Sequence, residues 1–130
     1  MSTITSSNIA RTELTSTTSF STTSTSDVVI TGFTLTPVAG TYLVLSAVLI
    51  NKTAGIVTGS VTNSFYVAGV QVPTTERSHT SAGGNNQPLT INLQAVVALN
   101  GAQAIDVRMR VQNSTFAATN RSLILVRLGS

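Results

Sequence analysis

Between residues 41 and 51 the chain alternates two sets of side chains, and both sets are apolar. Tyr42, Val44, Val48 and Ile50 point one way and Leu43, Leu45, Ala47 and Leu49 the other, because successive side chains of a strand project to opposite faces. Such a strand has to be covered twice. A sandwich covers one face with its partner sheet and normally leaves the other to water. The two-sided pattern returns at residues 123 to 128, interrupted by Arg127.

The remaining sequence from Asp27 onward reads as short strands at short intervals. Residues 28 to 30 and 33 to 35 are β runs separated by Thr31-Gly32, and Pro37-Val38-Ala39-Gly40 is a turn signal. Residues 52 to 59 read as a loop and 61 to 67 as a strand. Ala68-Gly69 then predicts a tight hairpin into residues 70 to 75, where Pro73 limits the second strand to an edge or an irregular start. Residues 81 to 88 are a Gly- and Asn-rich exposed loop. Leu89, Ile91, Leu93, Ala95, Val97 and Leu99 form a period-2 series ending at Asn100-Gly101, which predicts a hairpin into the next strand. There Ile105, Val107, Met109 and Val111 face inward and Asp106, Arg108 and Arg110 outward. Residues 112 to 120 are expected to be a loop. No helical period survives, so about eight strands predict an all-β, single-domain antiparallel β-sandwich, with a jelly roll as the leading topology.

Residues 1 to 26 are mostly Ser and Thr, with isolated apolar positions at Ile4, Ile9, Leu14 and Phe20. This segment is expected to be an extended N-terminal arm ahead of a sandwich domain at 27 to 130. Alone it buries too little to offset the entropy of ordering it, but its Thr content makes it a ready strand beside a free edge. It either frays or docks. The second apolar face has two possible covers: a neighbouring subunit, or this arm folded back within one chain. Left bare, four aliphatic side chains would forgo several kcal/mol at about 25 cal/mol per Å². A subunit cover places the interface at Leu43, Leu45, Leu49, Ile124 and Val126.

Catalysis fails on supply. Only 8% of the 130 residues are charged, against about 25% in an average domain, and polarity comes instead from Ser, Thr, Asn and Gln. The four carboxylates, Glu13, Asp27, Glu76 and Asp106, show no paired acid/base spacing. His79 is the single histidine and cysteine is absent, so the familiar zinc spacings cannot be made. Ser78 and His79 are neighbours on a strand and point apart, which is no triad. Gly83-Gly84 lacks the Lys and Ser/Thr of a phosphate-binding loop. No enzyme activity, metal or cofactor is expected.

The net charge of +3 rests on seven scattered basic residues, of which Arg108 and Arg110 share a strand face. With no basic run and no Trp, and only two Tyr and four Phe, nucleic acid is not an expected partner. No run approaches the roughly 20 apolar residues of a membrane span, and the first ten residues do not read as a secretory signal. The sequons at Asn51, Asn113 and Asn120 are expected by chance in so Ser/Thr-rich a chain.

The run Gly32-Phe-Thr-Leu-Thr-Pro-Val-Ala-Gly-Thr-Tyr-Leu-Val-Leu-Ser-Ala47 resembles the opening of small jelly-roll proteins of tailed-phage virions, with a fold similar to tumour-necrosis-factor and C1q heads. Phe65-Tyr-Val-Ala-Gly-Val70, Thr75-Glu-Arg-Ser-His79, the strand from Asn100-Gly101 to Arg108 and Arg121-Ser-Leu-Ile-Leu125 look like the same pattern, over roughly residues 20 to 128. The resemblance implies a homotrimer on the outer surface of a virion, made in the host cytoplasm. Its role would be a capsid decoration (cement) protein bound between major capsid proteins, a head fibre or a tail part. A cement protein needs an extended grip, for which the arm residues Ile4, Ile9, Arg11 and Leu14 are the candidates. The alternative is a receptor- or glycan-binding fibre module using loops 81 to 88 and 112 to 120.

Overall fold

The computed structural model describes residues 10–55, 58–81 and 84–129, and among these there is no helix. The described strands, in chain order, are β1 (Arg11–Ser16), β2 (Phe20–Thr22), β3 (Val28–Leu35), β4 (Gly40–Ala54), β5 (Gly59–Val67), β6 (Val70–Gln71), β7 (Arg77–Ser81), β8 (Leu89–Leu99), β9 (Ile105–Gln112) and β10 (Thr115–Gly129). They form two antiparallel sheets. The first runs β1-β10-β4-β8, with β2 also on β10, and the second runs β3-β9-β5-β6, with β7 also on β5.

The periodicity explains the core. Tyr42, Val44, Val48 and Ile50 of β4, Ile91, Leu93, Val97 and Leu99 of β8, and Leu123 and Leu125 of β10 face inward from the first sheet. Ile30, Phe33, Val61, Phe65, Ile105, Val107, Met109 and Val111 meet them from the second. Each such side chain contributes about 1.5–3 kcal/mol by leaving water.

Several local expectations change. The two runs at 28 to 30 and 33 to 35 are one strand, β3, broken by a register shift between Val29 and Thr34 where Gly32 takes φ +81°. The loop expected at 52 to 59 is shorter, because β4 continues to Ala54. The loop expected at 112 to 120 shrinks to a turn at Asn113-Ser114, with Asn113 at φ 62°. From Thr115 the chain is already strand: Phe116 and Ala118 sit in the core, an anchor that outweighs the turn character of the asparagines on either side. The hairpin at Ala68-Gly69 is present, with Val67 opposite Val70. That at Asn100-Gly101 is not. β8 pairs with β4, while β9 pairs with β3 and β5, so this turn crosses from one sheet to the other. Asn100 Oδ1 accepts from the backbone N–H of Ala102 and Gln103 at 2.9 and 3.1 Å, which shapes the crossing.

The segment expected as an arm supplies two strands to its own domain. β1 and β2 lie in succession along the edge of β10, and Ser24 carries the chain to the second sheet by accepting from Val111 N–H at 2.8 Å. One residue fastens this strap. Arg121, buried beside an irregularity in the β10 register between Ala118 and Arg121, donates to the carbonyls of Thr18 (2.6 Å), Thr31 (3.0 Å), Thr119 (2.9 Å) and Ala118 (3.2 Å). Its guanidinium lies 5.4 Å from the Phe33 ring centroid, and burial pulls its pKa below the usual guanidinium value. Replacing it with methionine keeps much of the volume but leaves these carbonyls without their charged donor. Arg121→Met is expected to cost about 2–4 kcal/mol in urea unfolding. Proteolysis should then cut first within residues 17–26.

Candidate functional site

The outer face of the first sheet is the one large surface on which the described residues place apolar side chains side by side across neighbouring strands. The register aligns Arg11, Val126, Leu43 and Val96 in one row, and Glu13, Ile124, Leu45 and Gln94 in the next. Thr15, Ser122, Ala47 and Asn92 follow, with Leu49 opposite Thr90 beyond them. Leu43, Leu49, Ile124 and Val126 are half-buried, while Leu45 is 36% and Val96 62% exposed. The small side chains Ala47 and Ser122 leave a depression of about 450 Å³, bounded by Leu45, Ile124, Asn92, Gln94 and Arg77. A second hollow of about 380 Å³ continues towards Leu49, Thr90 and Asn120.

All five interface residues expected from sequence therefore share one face. Val96, which the alternation of β8 also places there, extends the patch to the sheet edge. The strap does not cover it: β1 and β2 widen the sheet at the opposite edge. Of the residues expected to grip a partner, Leu14 is half-buried against the core and Arg11 pairs with Glu13. Ile4 and Ile9 lie outside the described residues.

The outer face of the second sheet is polar and self-compensated. Arg108 Nε donates to Asp106 at 2.8 Å and its guanidinium sits 4.2 Å from the Tyr66 ring centroid. Tyr66 donates to Asp27, which also accepts from Arg110 at 3.2 Å. Arg110 bridges to Glu76 at 2.6 Å, and Gln71 donates to the same carboxylate at 2.8 Å. Three of the four carboxylates are thus spent on Arg108 and Arg110, and the basic pair offers no free cationic patch. Its role is to tie the start of β3 and the chain before β7 onto β9. Sequence spacing placed the two arginines on one face but gave no signal for Asp27 and Glu76, which arrive from distant segments.

Ser78 and His79 sit opposite Thr62 and Val61, on alternate sides of β7. Ser78 and Thr62 share a hydroxyl contact of 2.6 Å. Among the described residues no group of three or more His, Cys, Asp or Glu side chains converges. Gly83 lies outside the described residues.

No protein-family model matches the chain, and no curated protein sequence does. Solved structures do match. The Eiger TNF of S. frugiperda superposes with a TM-score of 0.67 at 12% identity, over 95% of this chain and 94% of that one. The fold is a TNF-like jelly roll. A chain of infectious bursal disease virus, Gx strain, superposes with a TM-score of 0.59 at 13% identity, over 94% of this chain and 34% of the viral one. A chain of the T13 particle of the same virus gives 0.59 at 13% identity, over 92% of this chain and 31% of that one. At these identities the likeness is one of fold, and the jelly roll corresponds to about a third of each viral chain.

The Glu76 contact gives a pH test. Donation by Arg110, then by Gln71, holds the Glu76 carboxyl below its ordinary value of 4.5. A carboxylate lowered in the folded state adds stability above its unfolded value and loses it as pH falls through the folded one. Arg110 stays charged throughout, its own pKa raised by Glu76 and Asp27. The side chain of Glu76 is 43% exposed, so the contribution is below about 1 kcal/mol. Melting curves should show the native chain slightly more stable than Glu76→Gln at neutral pH, with the difference disappearing below the Glu76 folded pKa.

Proposed function

We propose that this chain is a non-enzymatic structural protein of a virion: a homotrimeric decoration (cement) protein that binds between major capsid proteins on the outer surface of a phage head. The observation that carries the reading is the apolar outer face of the first sheet, which the chain's own strap leaves bare. Apolar side chains lie side by side across the two long central strands of this patch, and a second copy is its simplest cover. The sequence resemblance to trimeric phage virion proteins supports three copies, and the occurrence of the same fold in an insect TNF and in a viral particle agrees with a fold used for assembly.

The mechanism is binding alone. Three copies joined through this face present three identical contacts to neighbouring capsid proteins, and each raises the effective concentration of the next. Arg11 and Leu14, engaged in β1, are held by their own sheet rather than offered to a neighbour. The competing glycan reading loses much of its expected surface, because residues 115–120 belong to β10.

Charge at the centre of the patch tests the assembly. Leu45→Asp combined with Ile124→Asp touches only the outer face, so the folded sandwich should survive by circular dichroism. The variant should run as a monomer by light scattering and lose the ability of the native protein to protect phage heads against heat. A variant that kept the native mass would refute this interface.

A further inference from the structure

The outer face of the first sheet is apolar along its middle and charged at its two ends. At one end Glu13 of β1 stands in line with Ile124, Leu45 and Gln94 across the four strands. At the other end Arg77 of β7 lines the depression beside Asn92 and Gln94, although β7 pairs in the second sheet. One row thus carries a carboxylate at one end and a guanidinium at the other, with aliphatic side chains between. Three strand spacings, about 14 Å, separate β1 from β8. The two charges do not meet within one chain, where Glu13 pairs with Arg11 instead.

Both end charges keep bonding capacity. Arg77 donates through Nη1 to the carbonyls of Thr74 at 3.0 Å and Glu76 at 2.7 Å, and no carboxylate of the described residues pairs with it. Its Nε and Nη2 donors have no acceptor among the described residues. Glu13 gives Oε2 to Arg11, which leaves Oε1 to accept from a second guanidinium. The other three carboxylates, Asp27, Glu76 and Asp106, are held by Arg108 and Arg110 on the outer face of the second sheet. Glu13 is therefore the one carboxylate that the described residues place on the apolar face.

We infer that Glu13 of one copy pairs with Arg77 of the next, so that the β1 end of each face seats against the depression at the β8 end of its neighbour. The pair rests on the assembly reading above and gives it a direction. Opposite charges at the two ends of one face are complementary head to tail, and repeating that contact closes a ring in which every copy uses both of its ends. Glu13 and Arg11 form an exposed pair within one strand, their side chains 35% and 60% exposed, and such a pair contributes little on its own. Brought against Arg77 at the edge of an apolar contact, the same carboxylate fixes the order and register in which copies join more than the strength with which they hold.

Charge reversal and its rescue test the pair by sedimentation equilibrium, with circular dichroism as the check on folding. Arg77→Glu and Glu13→Arg should each weaken association by about tenfold or more, because each sets like charges against one another across the interface. The two reversals combined should restore it. Cross-linking gives an independent readout, since the chain has no cysteine of its own. Glu13→Cys combined with Arg77→Cys, treated with a bis-maleimide too short to span the row, should yield covalently joined copies on a denaturing gel. Association unchanged by both single reversals, a double reversal that fails to rescue, or an associated cysteine variant that yields no joined copies would overturn the pair and leave the assembly reading standing. So would an Arg77→Glu variant that keeps the native mass but no longer binds phage heads, which would assign Arg77 to a shell-protein carboxylate. A native chain that sediments at the mass of one copy would overturn both.

Discussion

The structure depends on one constraint: β4 and β10 are apolar on both faces and lie side by side at the centre of the first sheet. Their inner faces are met by the second sheet, which closes the core around Phe33, Phe65 and Phe116. Their outer faces are covered by no strand of the described chain, and Arg77 reaches only the rim of the depression between Leu45 and Ile124. The described strands therefore close one core and leave an apolar outer face on the first sheet. The remaining features follow that division: the second sheet turns a compensated polar network to solvent, and the apolar area is concentrated on the first.

The strap shows why the open face stays open. Residues 11–22 could have folded across Leu45 and Ile124, but their Ser and Thr side chains bring few apolar contacts to such a cover. The edge of β10 offers them a ladder of backbone hydrogen bonds, and Arg121 gives the strap a fixed point by reaching both Thr18 and Thr31. A neutral, hydroxyl-rich segment gains more from pairing than from covering.

Legibility in the sequence followed the physics of each segment. Alternation was decisive where one face meets the core, so β4, β8 and β9 could be placed side chain by side chain. It also put Leu43, Leu45, Leu49, Ile124 and Val126 on one surface. Local signals misled where tertiary packing outvotes them. The residues between Asn113 and Asn120 look like a loop until Phe116 is seen in the core, and Asn100-Gly101 looks like a hairpin although the strands it joins belong to different sheets. Arg121 left no local trace, because its partners are carbonyls up to 103 residues away.

An interface between copies on the outer face of the first sheet makes the chain an oligomer in solution. Sedimentation equilibrium of the native chain across a concentration series measures the number of copies that associate. The expected result is a single species of three times the chain mass that persists on dilution. A single species at the chain mass throughout the series would contradict it.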